Sequence, residues 1–172
     1  AYRCLYRKWK KKEEAFIDDA DAVISLTKAA KQEIEHWPTY RGVPIHVIPC
    51  AVDFDCFALP NDASERTAVR NQLGVKDSEP LFVYLGSLGS VYLLDDILRC
   101  FVTARRVLGR GRLLFMGDHS VEQLLMHARS IGLSIKDDDV LCRRVVRADV
   151  PAYLGAADVG LNFIIPSYSS LG

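Results

Sequence analysis

The chain has 172 residues, 49% of them hydrophobic, enough to bury one full core and to form one domain, or one domain plus part of another. Lys+Arg and Asp+Glu each number 22, so the overall charge gives no sign of a nucleic-acid partner. No apolar run approaches the roughly 18 residues that span a bilayer, and no signal peptide precedes the basic start. The expectation is a soluble, cytoplasmic chain. It opens inside a helix-like pattern and stops after a strand-like run, which reads as a piece of something larger.

Strand-like and helix-like segments then alternate. "DAVISLT" (Asp21 to Thr27) is a short apolar run ending in Thr27, an N-cap for the helix "KAAKQEIEHW" that Pro38 closes. "IHVIP" is β-branched and strand-like, "VDFDCF" a turn, and Ala63 to Leu73 a helix ended by Gly74. "LFVYLG" reads as a buried strand and Val91 to Leu108 as a long helix ending at Gly109. "RLLFMG" is the next strand, followed by a helix that Ser120 caps and Gly132 stops. "DVLCRRVV" is a strand, "ADVPAYLGAA" a short helix with Pro151 in its first turn, and "DVGLNFII" a strand.

Continuous apolar strands separated by amphipathic helices are the pattern of a parallel sheet covered on both faces. The expected fold class is α/β, a Rossmann-like doubly wound parallel sheet. Ligands of such sheets bind beyond the carboxyl ends of the strands. The loops that matter are therefore Gly86-Ser87-Leu88-Gly89-Ser90, Gly117-Asp118-His119, Arg147-Ala148 and Pro166-Ser167-Tyr168-Ser169-Ser170. Glycine and hydroxyl groups let a backbone approach an anion and donate N–H and O–H bonds to it, which suits phosphate. The pattern falls short of Gly-x-Gly-x-x-Gly, and no Gly-Lys-Ser/Thr is present. On pattern alone, Gly86-x-x-Gly89 serves equally as a tight turn or as a ligand loop.

The stretches "DAVISLTKAAKQEI", "VIPCAVDFDCF", "LFVYLGSLGSVYLLDDILRCF", "LLFMGD" and "ADVPAYLGAADVGL", in this order and spacing, resemble the retaining GT-B glycosyltransferases of family 4. The resemblance implies that residues 1–38 are the tail of an N-terminal acceptor domain or a linker helix and strand. Residues 39–172 would be a nucleotide-sugar donor-binding domain, incomplete at its C-terminus, within the C-terminal half of a GT-B fold. Gly86, Ser87, Gly89 and Ser90 would border the donor diphosphate. Gly117 and Asp118 would lie beside the nucleotide, and Val146 and Arg147 would flank the base. The family's paired glutamates and acceptor pocket would lie outside the chain, so it contains no catalytic residue and is expected not to turn over alone. The implied substrate is a nucleoside diphosphate sugar, with no cofactor or obligatory metal, and the implied acceptor a sugar or a lipid-linked sugar, as in polysaccharide biosynthesis. Ser87, and Tyr92 or Leu93, stand where the family commonly has an arginine and a lysine on the diphosphate. A nucleotide-binding or interaction module without transfer chemistry is the alternative on the same scaffold.

Other residues read more simply. The five cysteines form no Cys-x-x-Cys pair and the four histidines no i, i+4 pair, so the pattern gives neither a disulfide framework nor a metal site. Tyr2, Leu5, Tyr6, Trp9 and Phe16 make one helical stripe among basic residues. Such a stripe packs on its own protein or lies on anionic lipid. Asp137-Asp138-Asp139 precedes its strand and reads as a solvated turn. Of Arg143, Arg144 and Arg147, the last is expected to reach a phosphate, because it stands at the strand's carboxyl end.

Overall fold

The structure, a computed structural model, describes residues 2–57, 63–87 and 92–165. They fall into two compact units, one within residues 1–52 and one within residues 53–165.

The first unit comprises α1 (Tyr2–Asp18), β1 (Val23–Ser25), α2 (Lys28–Glu35) and β2 (Ile45–Val47). The two strands pair in parallel, Val23 opposite Ile45 and Ser25 opposite Val47. Thr27 caps α2 as its sequence position predicts, its hydroxyl accepting from the Ala30 N–H at 3.0 Å. The Lys31 ammonium crosses to the Ile45 carbonyl at 2.9 Å and fixes α2 to β2. The Lys10 ammonium sits 3.4 Å above the centre of the Trp37 ring, which ties α1 to the segment after α2. The boundary expected after residue 38 falls inside this unit, ahead of β2.

The second unit carries α3 (Ala63–Leu73), β3 (Leu81–Leu85), α4 (Leu94–Leu108), β4 (Arg112–Met116), α5 (Val121–Ser130), β5 (Val140–Arg143), α6 (Val150–Ala156) and β6 (Val159–Gly160). The four strands form a parallel sheet in the order β5-β4-β3-β6. The first three strands run outward in one direction and the fourth returns to the other side of β3. Strand order therefore reverses between β3 and β6, the position at which open α/β sheets hold ligands.

Alternation along the strands sorts the core into two layers. Phe82, Tyr84, Leu113 and Phe115 face α4 and α5, meeting Ile97, Leu98, Phe101, Leu124 and Ala128. Leu81, Val83, Leu114 and Met116 face α3 and α6, meeting Val69, Leu73, Val150 and Ala156. Helices thus cover both faces, and the sheet is doubly wound as its apolar runs predict.

Three elements differ from their sequence reading. The α4 helix starts at Leu94, because Tyr92 forms an antiparallel bridge with Ile164 and the Leu93 N–H donates to the Phe163 carbonyl at 3.0 Å. The β5 strand stops at Arg143, the last residue with a partner on β4, Met116. Only Val159 and Gly160 of the expected last strand pair with β3, opposite Phe82 and Val83. The aspartate run forms a short 3-10 turn in which Asp139 is buried and accepts from Arg105 at 2.7 Å. Asp139 is therefore a packed ion-pair partner and not a solvated turn residue.

The amino end of the sheet is closed by charge. Arg70 of α3, fully buried, donates to the Ala156 carbonyl (2.8 Å), the Lys76 carbonyl (2.7 Å) and the Glu79 carbonyl. Arg66, one turn earlier, donates to the Gly155 and Ala157 carbonyls at 3.0 Å each. These bonds satisfy carbonyls that the end of α6 leaves without helical partners. The Asp158 carboxylate joins both arginines and accepts from the Leu81 N–H at 2.7 Å. Burial would raise the Asp158 carboxyl, but the Leu81 amide and the Arg66 and Arg70 guanidiniums outweigh it and hold it below the usual carboxylate range.

Candidate functional site

At the carboxyl ends of β3 and β4 the backbone ladder continues one residue past each strand. The Gly86 N–H donates to the Met116 carbonyl at 3.2 Å, and the Gly117 N–H to the Arg143 carbonyl at 3.0 Å. Both positions exclude side chains. Gly86 has φ +151°, and a Cβ there would stand 3.1 Å from the Tyr84 Oη. A Cβ on Gly117 would stand 2.7 Å from the Gly86 carbonyl oxygen, a backbone atom that cannot swing aside. The two loops are thus in backbone contact, and only glycine at 117 permits it.

Tyr84 braces the first loop from beneath. It is 1% exposed, its ring tilts against Phe115 at 5.0 Å between centroids, and its hydroxyl donates to the Ser87 carbonyl at 3.0 Å. Burial, with a smaller effect of the neighbouring Tyr92, raises the Tyr84 phenol, so it stays protonated and keeps donating. Tyr92 packs edge-on against the Tyr84 ring at 6.3 Å, and its bridge to Ile164 carries the chain across from β3 to the segment after β6. Ser87 and Tyr92 are therefore each held in place beside the Tyr84 side chain.

A shallow cavity of about 280 Å³ opens over the carboxyl ends of β3, β4 and β5, lined by Leu85, Gly86, Met116, Gly117, Asp118, Arg144 and Val145. The Asp118 carboxylate and the Arg144 guanidinium pair at 3.2 Å across its mouth. Beyond Asp118, Ser120 and Gln123 form a reciprocal capping box that starts α5. Of the expected site residues, the structure brings Gly86, Gly117 and Asp118 to this cavity, with Ser87 adjoining it in the braced loop. Val146 and Arg147 are exposed farther along the loop and do not line the cavity. Because β5 ends at Arg143, the cation at the cavity is Arg144. Gly89, Ser90 and the loop from Pro166 lie outside the described residues.

A somewhat larger cavity, about 320 Å³, lies between the end of α4 and the 3-10 turn, lined by Phe101, Arg105, Ser134 and Asp139 among others. Arg105 and Asp139 already satisfy one another there, Arg105 also donating at 3.2 Å to the Gly111 carbonyl, and Arg106 lines the cavity as a further cation. This cavity sits at the amino end of the sheet, where α/β folds do not hold their ligands. Among the described residues no three His, Cys, Asp or Glu side chains are grouped to hold a metal, and no helix is long and apolar enough to cross a membrane.

No family model matches the chain. It is 33% identical over 76 residues to the D-inositol 3-phosphate glycosyltransferase of Xylanimonas cellulosilytica, a match over 43% of this chain and 18% of that relative. Among solved structures, a glycosyltransferase from Rickettsia africae superposes with a TM-score of 0.66 at 14% identity, over 87% of this chain and 40% of that one. Anabaena Alr3699/HepE in complex with UDP and glucose superposes with a TM-score of 0.61 at 20% identity, over 82% of this chain and 37% of that one. The chain thus spans well under half the length of the proteins it matches, and over that stretch it has the α/β fold of the GT-B glycosyltransferases.

Proposed function

We propose that this chain is the donor-binding part of a family 4 glycosyltransferase. The reaction would move a sugar from a nucleoside diphosphate sugar to a sugar or lipid-linked acceptor with retention of configuration. The observation that carries the reading is the backbone contact of Gly86 with Gly117 beside an open cavity over the carboxyl ends of three neighbouring parallel strands, β3, β4 and β5. The glycosyltransferase likeness of the 76-residue match supports it.

In this reading the loop of Gly86, Ser87, Gly89 and Ser90 borders the diphosphate, Gly86 by its lack of a side chain and the residues after it by their amides and hydroxyls, and the negative charge of the diphosphate grows as the glycosidic bond to it breaks. Fixed N–H and O–H donors stabilise that charge without reorganising. Gly117 and Asp118 lie against the nucleotide, and Val146 and Arg147 flank the base. The nucleoside diphosphate sugar is a substrate, and the reading invokes neither a cofactor nor a metal. The donor domain lies within residues 39–172, its compact unit starting after residue 52, and residues 1–38 belong to an acceptor domain or to the linker that leads from it. A cytoplasmic location with peripheral membrane contact through α1 completes the reading: Leu5, Trp9 and Phe16 of α1 are exposed beside Arg7, Lys8, Lys11 and Lys12.

Calorimetric titration with UDP, ADP and GDP, each beside its nucleoside, tests the proposal. Weak saturable binding of at least one diphosphate, with its nucleoside weaker, is the expected result. No saturable binding of any of the three contradicts it.

A further inference from the structure

We infer that Arg144 supplies the positive charge that holds a bound diphosphate at this cavity, and that Asp118 competes with the ligand for its guanidinium. The inference rests on the donor-site reading and assigns its cation.

Placement comes first. The β5 strand ends at Arg143, whose carbonyl takes the Gly117 N–H, so the following residue, Arg144, stands at the rim beside Gly117 and Gly86. Its guanidinium lies 3.2 Å from the Asp118 carboxylate, and the two side chains are 85% and 73% exposed. A pair so exposed is weakly held and exchanges its partner readily. The planar fork that meets a carboxylate meets a phosphate equally well.

The charge at the cavity favours the same residue. A nucleoside diphosphate sugar carries about two negative charges at neutral pH, one on each phosphate, and UDP, whose free terminal phosphate ionises a second time near pH 6, carries nearly three. Ser87 offers a donor without charge, while the Gly86 and Gly117 N–H groups are already given to the Met116 and Arg143 carbonyls. The first turn of α4, which follows the loop, carries Asp95 and Asp96, so its dipole is already met by acid. Arg143 is turned onto its own chain, donating to the Cys142 carbonyl at 2.9 Å. Arg144 is thus the cation lining the cavity among the described residues, and Asp118 the anion that offsets it.

Arg144→Gln, Arg144→Lys and Asp118→Asn, made singly in the full chain, separate the roles. The probes are UDP, uridine and inorganic pyrophosphate, each titrated at low and high salt. Arg144→Gln should weaken UDP and pyrophosphate about tenfold, the size of one charge-assisted hydrogen bond, leave uridine unchanged and flatten the salt dependence. Arg144→Lys should keep the salt dependence while losing part of the affinity. Asp118→Asn should tighten pyrophosphate about two- to fivefold, the worth of the exposed pair it removes. Thermal melts of all three should match the unaltered chain, since both side chains are exposed. UDP binding that Arg144→Gln leaves unchanged overturns the inference while the donor-site reading stands. Pyrophosphate binding that depends on Arg144, without UDP binding, keeps the anion site and overturns the donor-site reading. Loss of uridine together with UDP would make Arg144 a structural residue and overturn the inference.

Discussion

A Cβ on Gly117 would stand 2.7 Å from the Gly86 carbonyl oxygen, so the loops after β3 and β4 touch backbone to backbone. That contact makes glycine at 117 a requirement of packing. Gly117→Ala should force the loops apart at a cost of about 1–3 kcal/mol, as overpacked sites do, and weaken nucleotide diphosphate binding. Paired thermal melts and UDP titrations check this. An unchanged melting temperature with unchanged affinity would show that the loops do not touch.

Tyr84 is the second support of the loop, through its bond to the Ser87 carbonyl. Tyr84→Phe keeps the ring in its contacts with Phe115 and Tyr92 and removes only that bond. Because Ser87 is exposed and water can replace the donor, the stability loss should be small, about 0.5–1.5 kcal/mol. Amide hydrogen exchange at Gly86 and Ser87 should quicken while the strand amides of β3 and β4 stay protected.

The amino end of the sheet governs acid stability. Asp158 has a lowered pKa in the folded chain, so its contribution is fully present above the unfolded carboxyl value, near 3.9, and is lost as pH falls through the folded value. Stability should therefore decline as pH drops below about 4, and Asp158→Asn should flatten that decline. The carboxylate is partly exposed, so solvent screening keeps the effect modest. Melting temperatures measured from neutral to acid pH for both proteins decide it.

Arg70→Met removes a buried guanidinium and leaves the Ala156, Lys76 and Glu79 carbonyls without their donor. The expected loss is about 3 kcal/mol or more, read by urea denaturation. Arg112→Met, whose bonds to the Leu73 and Gly74 carbonyls are longer at 3.3 Å and partly exposed, should cost clearly less.

Much of the fold is legible because local chemistry fixes it. Thr27 and Ser120 announce helix starts, and Gly109, in the left-handed region at φ 70°, ends α4 where its sequence position indicates. The apolar runs of β3 and β4 announce strands buried on both faces. What stayed hidden depends on distant partners. Arg66 and Arg70 are spaced like an ordinary solvated helix face, and their carboxylate partner, Asp158, lies far along the chain at the start of β6. Asp139 looks like a turn residue until Arg105 reaches it. The site was legible as glycines after strands, but its cation was not. That depended on where β5 loses its pairing with β4, and two neighbouring arginines give no local sign of it.

The most direct measurement of the central claim is a UDP titration of the isotopically labelled chain followed by amide chemical shifts. The account predicts that Gly86, Ser87, Gly117, Asp118 and Arg144 shift together along one saturation curve, while Arg105, Ser134 and Asp139 at the opposite end of the sheet stay still. Shifts confined to that opposite cavity, or none at the two glycines at saturation, would contradict it.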